Sequence, residues 1–162
     1  MRMPHQPIAA AIALGSNVGD RLAHIRGAIV RIAALPRTSL VRVSEIRETS
    51  PVGDIAQGAY LNAAAVVSTR LTPGELLAGL LEIEREHGRD RAREVRWGPR
   101  TLDLDLILFG DVVVNEPGLI VPHPRMHERE FVLGPLAEIS PGWVVPGLGL
   151  NVRGLLERLP HE

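Results

Sequence analysis

The stretch that most constrains this chain is Leu102-Asp103-Leu104-Asp105-Leu106-Ile107-Leu108-Phe109. Strand side chains alternate between faces, so Asp103 and Asp105 share one face while Leu102, Leu104 and Leu106 share the other. A run this apolar belongs to an inner strand, where an unpartnered acid is costly. Two carboxylates on one face also repel each other unless a positive charge lies between them. A hard divalent cation such as Mg2+ answers both demands, because it takes carboxylate oxygens and substrate phosphates together. Asp103 and Asp105 are therefore the candidate metal ligands. The competing reading is an edge strand whose acids only discourage aggregation.

The segment leading into this strand carries Arg85, Arg89, Arg91, Arg93, Arg96 and Arg100, opposed only by Glu86, Asp90 and Glu94. Arginine is the better bidentate phosphate ligand. Such density suits a mobile phosphate-binding lid, with a plain solvated connection as the alternative. All 18 basic residues are arginine. The lack of lysine removes Schiff-base chemistry and the lysine of a P-loop. The lack of cysteine removes disulfides, thiolate catalysis and cysteine metal sites. A net charge of -1 gives no general grip on nucleic acid. The apolar stretch from Ile8 to Leu14 is too short to span a bilayer or to form a signal core. A cytoplasmic protein without nucleic-acid or membrane partners is expected.

At 162 residues and 45% hydrophobic, the chain suits one domain over 1–162, with 1–7 a short flexible N-terminus. Ile8 to Leu14 reads as a buried strand ended by Gly15-Ser16-Asn17. Asp20 caps a helix with apolar positions Leu22, Ile25, Ile29, Ile32 and Leu35, stopped by Pro36. Leu40 to Glu48 reads as a strand, 49–59 as a loop, and Tyr60 to Thr69 as a further strand. Thr72, Pro73 and Glu75 open a second helix with nearly a capping box. After the aspartate strand, Gly110-Asp111 turns the chain into a short returning strand over Val112–Val114. Helices follow over Glu128–Ile139 and, more weakly, Val152–Leu159. The order strand-helix-strand-strand-helix-strand is that of an α+β, ferredoxin-like split βαβ sandwich, a mainly antiparallel sheet with helices packed on one face.

Outside the aspartate strand, His123 in Val121-Pro122-His123-Pro124-Arg125 is held by flanking prolines and suits a hydrogen bond to a phosphate oxygen. A structural loop histidine is the alternative. His127, four residues on, would make a zinc pair with it on a helix, but Pro124 breaks that geometry. Asn62 lies inside a strand, where both amide donors and the carbonyl need partners. Together with Tyr60, Trp97 and Phe131 it is the set that a flat heterocycle, clamped between rings and read by an amide, would use; ordinary core packing is the other use of such aromatics.

With these residues in view, the chain resembles the 6-hydroxymethyl-7,8-dihydropterin pyrophosphokinases of folate biosynthesis over about residues 8–145. The specific signature is Arg96-Trp97-Gly98-Pro99-Arg100-Thr101-Leu102-Asp103-Leu104-Asp105. Leu14-Gly15-Ser16-Asn17, Thr49-Ser50-Pro51-Val52-Gly53, Tyr60-Leu61-Asn62 and the His123 segment support it. The resemblance implies transfer of the β,γ-pyrophosphoryl group of ATP to the pterin hydroxymethyl group, with release of AMP, by a monomer. It implies two Mg2+ ions on Asp103 and Asp105. It assigns ATP contacts to Arg89, Arg91, Arg100, His123 and Arg129, the three arginines of the lid and signature being catalytic with the aspartates. Pterin contacts fall to Thr49, Val52, Tyr60, Asn62, Trp97 and Phe131. Flexible catalytic loops would span 15–19, 51–59 and 89–97. The last of these carries one residue more than some relatives, which leaves the register of Arg91, Arg93 and Arg96 open. Two other classes remain in view from the residues alone: a Mg2+-dependent phospho- or nucleotidyltransferase with another acceptor, and a ferredoxin-like RNA-binding module.

Overall fold

The computed structural model describes residues 6–49, 59–88 and 101–160. Its elements are β1 (Ile8–Ser16), α1 (Arg21–Ala33), β2 (Thr38–Val43), β3 (Arg47–Thr49), β4 (Tyr60–Thr69), α2 (Pro73–Glu86), β5 (Asp103–Phe109), β6 (Val114–Glu116), β7 (Leu119–Val121), α3 (Glu130–Ile139) and α4 (Val152–Glu157). The main sheet runs β2-β4-β1-β5, with β3 continuing along β4 beyond β2. Its pairings are antiparallel. This is the ferredoxin-like order, with β1 and β4 central and β5 at an edge.

Alternation along the strands builds two cores. Ala10, Ile12 and Leu14 of β1, Ala63, Ala65 and Val67 of β4, and Leu104 and Leu106 of β5 face α1 and α2, meeting Ile25, Ile32, Leu76, Leu80 and Ile83. Ala11, Ala64 and Val66 face the other way, toward Val132, Leu133 and Leu136 of α3 and Val152 and Leu155 of α4. The expectation of helices on one face is thus met by α1 and α2 only; α3 and α4 cover the second face. A bulge opposite Ala11 and Ile12 adds one residue to β5. It turns both Ile107 and Leu108 toward the α3 side and returns Phe109 to the α1–α2 side.

The helix starts follow their caps. The Asp20 carboxylate accepts the Ala23 N–H at 3.1 Å. At α2 the capping box is complete: Glu75 N–H donates to Thr72 Oγ1 at 3.1 Å, and Thr72 N–H donates to the Glu75 carboxylate at 2.9 Å. Helix α3 is tied to the outer strands, Arg42 donating to the Ile139 carbonyl at 2.8 Å and Glu138 accepting from the Glu45 N–H at 2.8 Å and from Arg47 at 2.7 Å.

Two elements depart from the sequence reading. The strand expected over Leu40–Glu48 is split into β2 and β3. At the break, Ser44 N–H donates to the Ala64 carbonyl at 2.9 Å while Ser44 Oγ accepts the Ala64 N–H at 2.8 Å, so a side chain replaces one ladder bond. The short strand expected over Val112–Val114 to return against β5 is absent. After Gly110, at φ +55°, the chain leaves the main sheet, and Val114–Glu116 pairs instead with Leu119–Val121 in a separate hairpin turned by Gly118 at φ +78°.

Leu80 is fully buried between α2 and the sheet. Leu80→Ala is expected to destabilise the protein by about 2–5 kcal/mol, the usual cost of lost burial plus a residual cavity. Urea unfolding followed by circular dichroism checks it; a change under about 1 kcal/mol would mean that this layer is not close-packed.

Candidate active site

The candidate residues gather on the sheet face that carries α3 and α4, at the end of the strands that those helices do not fill. Gly15 lies between two neighbours, paired with Asn62 of β4 on one side and Asp103 of β5 on the other. One step along, Ala13 pairs with Ala64 and with Asp105. Strand β1 therefore offers only Gly15 and Ala13 between the amide of β4 and the carboxylates of β5. Adjacent antiparallel partners are about 5 Å apart, so Asn62 and Asp103 stand about 10 Å apart across a floor without bulky side chains.

Asn62 is only 5% exposed, and its Nδ2 donates to Thr49 Oγ1 across the β3–β4 pair. That bond turns the amide so that Oδ1 faces Gly15. A Cβ added at Gly15 would stand 3.2 Å from Asn62 Oδ1 and 3.5 Å from a Tyr60 ring carbon. The resemblance assigned Thr49 a pterin contact; its hydroxyl also orients the Asn62 amide.

His123 arrives from the other side. Its backbone N–H donates to the Ile107 carbonyl at 2.9 Å, which fastens the loop to β5. Its Nδ1 accepts the Arg125 N–H at 3.1 Å. A neutral ring with Nδ1 accepting carries its proton on Nε2, which leaves an N–H to offer a ligand. Burial holds the imidazole down to about 4, with the Arg129 guanidinium pushing the same way, the Asp103 carboxylate pulling it up and Arg125 lowering it further. His123, Arg129 and Asp103 thus share one electrostatic neighbourhood. The Arg129 guanidinium also stands 5.5 Å from the centre of the Phe131 ring.

A cleft of about 430 Å³ opens along the outer edge of β5. Leu77 and Leu81 of α2, Leu104 and Leu106, Gly118 to Ile120 of the hairpin, and Pro124 line it, with Asp105 and His123 as its polar members. An apolar slot with a few convergent polar groups is the usual form of a small-molecule site. The sequence placed Asp105 and His123 in one site; the cleft between α2 and the hairpin depends on tertiary packing.

Among the described residues the structure brings together Thr49, Tyr60 and Asn62 on one flank of Gly15, and Asp103, Asp105 and His123 on the other, with Arg129, beside the Phe131 ring, within electrostatic reach of His123. Val52, Arg89, Arg91, Trp97 and Arg100, with the arginine-rich and Pro51 loops, lie outside the described residues. Two further residues emerge only from the fold. Gly15 is the floor between amide and carboxylate, signalled in sequence by a glycine at a strand end. Glu84, 1% exposed, accepts the Leu104 N–H at 2.8 Å. Its signal was an acid four residues after Leu80, on the apolar stripe of α2.

This fold and site define a class: an α+β sandwich in which a carboxylate pair adjoins a nucleotide-sized cleft, the equipment of a phosphate-transferring enzyme. The chain belongs to the 7,8-dihydro-6-hydroxymethylpterin-pyrophosphokinase (HPPK) family, whose family model matches residues 11–141. It is 52% identical over 130 residues to the 2-amino-4-hydroxy-6-hydroxymethyldihydropteridine pyrophosphokinase of Bacillus subtilis, covering 80% of this chain and 77% of that protein. To the enzyme of the same description from Pseudomonas aeruginosa it is 42% identical over 151 residues, covering 93% and 91%. Among solved structures, wild-type HPPK-DHPS of Plasmodium falciparum superposes with a TM-score of 0.72 at 13% identity, over 94% of this chain. That likeness concerns the fold, and this chain spans 45% of that longer protein. The protein is an ATP-dependent pyrophosphokinase that transfers a pyrophosphoryl group from ATP to the hydroxymethyl group of the dihydropterin.

Gly15→Ala forces the Asn62 amide aside by a few tenths of an ångström. Off-rotamer displacement costs about 0.5–1.5 kcal/mol, so KM for the pterin should rise roughly 2- to 10-fold with KM for ATP unchanged. Equal KM values in variant and parent for both substrates would separate Gly15 from substrate binding.

The depressed His123 imidazole also predicts a pH effect. Below its unfolded value of 6.5 the unfolded chain takes up a proton that the folded chain refuses. Its contribution is therefore fully present above pH 6.5 and is lost as pH falls through about 4. Urea unfolding at pH 7 and pH 4.5 should show a larger loss for the parent than for His123→Asn; identical losses would contradict the buried neutral ring.

Proposed function

We propose that Asp103 and Asp105 hold two Mg2+ ions, that the cleft beside β5 takes the base of ATP, and that Asn62 with Thr49, Tyr60 and Phe131 takes the pterin. The observation that carries this is the row Asn62–Gly15–Asp103, with the cleft opening at Asp105. Along that row an amide able to read a heterocycle and the first of the two carboxylates flank a glycine, with Asp105 one step along beside Ala13, which supports the reading.

The donor set fits the metal. No group of three or more His, Cys, Asp and Glu assembles among the described residues. A pair of carboxylates supplemented by phosphate oxygens and water is how Mg2+ is usually bound in nucleotide sites. The partnerless, buried Thr101 Oγ1 two residues before Asp103 agrees with a ligand beside the carboxylates. When bound, the metal ions neutralise triphosphate oxygens and acidify the attacking hydroxyl.

The chain's own residues then do the following. Leu104, Leu106, Leu77 and Ile120 sandwich the base, so the triphosphate runs toward Asp105. The His123 Nε2–H, on a ring kept neutral by burial, donates to a phosphate oxygen without adding a charge that Arg129 would repel. Arg129 supplies fixed positive charge to the same phosphates. Asn62 Oδ1, turned by Thr49, accepts from the pterin, and Phe131 and Tyr60 pack against its ring. Val52 and Trp97 complete that pocket, and Arg89, Arg91 and Arg100 bind the phosphates, by their match to the family. The pterin hydroxyl oxygen attacks the β-phosphorus in line, its O–P bond forms as the bond from that phosphorus to the α,β-bridging oxygen breaks, its proton leaves to solvent, and AMP departs with the bridging oxygen. We further propose a single pyrophosphokinase domain over 1–162, a monomer, working in the cytoplasm without membrane or nucleic-acid partners. No helix among the described residues is long and apolar enough to cross a membrane.

A product assay tests the reading: protein, ATP, Mg2+ and 6-hydroxymethyl-7,8-dihydropterin, resolved by chromatography. AMP and pterin pyrophosphate should form in equal amounts. Asp103→Ala should slow the reaction roughly 1,000-fold, about 4 kcal/mol of barrier. ADP in place of AMP, or an Asp103→Ala variant with near-parental turnover, would overturn it.

A further inference from the structure

Strand β5 closes one edge of the main sheet. In an antiparallel pair, alternate residues point their N–H and C=O away from the partner strand. At an edge those groups face no neighbour. Leu104 is such a residue, and it stands between Asp103 and Asp105. Its N–H does not go to water: the Glu84 carboxylate, from the last turn of α2, accepts it at 2.8 Å. Glu84 is 1% exposed, and no other acid is as deeply buried among the described residues. An acid so placed is expensive unless its oxygens are engaged, so the bond is enforced from both sides.

We infer that Glu84 is a positioning residue for the metal-binding aspartates: by anchoring the Leu104 peptide to α2, it sets the pitch of β5 at the point from which both carboxylates project. The peptide between two ligands is the lever with most control over their separation, because both flanking side chains turn with it. Metal sites tolerate displacements of only about 0.5 Å. Without an acceptor at this position, the edge strand is free to twist outward and carry Asp103 and Asp105 apart. The reach of the acceptor oxygen from α2 sets where that peptide stands. This rests on the assignment of Asp103 and Asp105 as metal ligands.

The test is Mn2+ binding to the full chain with a non-hydrolysable ATP analogue, followed by electron paramagnetic resonance. Glu84→Gln keeps an acceptor oxygen at the same reach and should bind Mn2+ within about 3-fold of the parent. Glu84→Asp withdraws the oxygen by one methylene and should weaken Mn2+ at least 10-fold, with faster hydrogen exchange at the Leu104 amide. Leu80→Ala loosens the same layer without touching β5's peptides and should leave Mn2+ affinity unchanged. Parental affinity in Glu84→Asp, equal weakening in Glu84→Gln and Glu84→Asp, or the same weakening in Leu80→Ala would each overturn the positioning role. Asp103→Asn separates the two claims: unchanged Mn2+ binding there removes the metal assignment and this inference together, whereas weakened binding there with a parental Glu84→Asp removes only the inference.

Discussion

Strand β5 has to satisfy two incompatible surroundings at once. Its leucines are buried against α2, Leu104 at 1% and Leu106 at 5% exposure, while the alternate positions present Asp103 and Asp105 on the opposite face. Period-two alternation is the only backbone geometry that separates them cleanly, since a one-residue slip would bury both acids and expose the leucines. The register against β1 is therefore strongly specified. From that register follow the pairing of Asp103 with Gly15, the pairing of Asp105 with Ala13, and the position of every other candidate group relative to the carboxylates.

Small residues in β1 turn this register into a site. Ala9 to Ala11, Ala13 and Gly15 make an unusually thin central strand. On the far half of its face the thinness lets α3 and α4 settle close to the sheet, against Ala11 and Val66. On the near half it leaves a floor between Asn62 and Asp103. One strand thus serves helix packing at one end and the candidate site at the other, and the bulge at Ala11/Ile12 marks the change. Beyond that bulge two consecutive β5 side chains face α3, sealing the core next to the site.

Charge is distributed with the same economy. Arg31 and Glu86 form a two-pronged pair between α1 and α2 at 2.8 and 2.9 Å, and Arg47 and Glu138 join β3 to α3. Both pairs are exposed and contribute little to stability individually. The backbone N–H of Glu45, donating to the Glu138 carboxylate, is the main reason that group lies below the usual carboxylate range. Fixing β3 to α3 holds Thr49 against Tyr60, and through Thr49 the orientation of the Asn62 amide. The surface network thereby reaches the candidate pterin pocket through backbone rather than through charge.

Most of the helices and inner strands were legible in the sequence, because each rests on a local device: Asp20 as cap, the Thr72–Glu75 box, and alternation in β4 and β5. The carboxylate pair, His123 and Asn62 were legible for the same reason, each being a polar residue where local pattern demands an apolar or a partnered one. The break at Ser44 and the β6–β7 hairpin were not, since a serine hydroxyl replacing a ladder bond and a chain leaving a sheet edge depend on where the neighbouring strand lies. Glu84 and the cleft beside β5 were also beyond local reading. The sequence by itself determined which polar residues interrupt apolar patterns and which faces they share, because periodicity is a property of single elements. Only the tertiary structure decided that α3 and α4 fill the second face, that Gly15 bridges Asn62 to Asp103, and that a buried acid on α2 holds the peptide between two aspartates, because those relations join elements far apart in the sequence, and only long-range packing determines them.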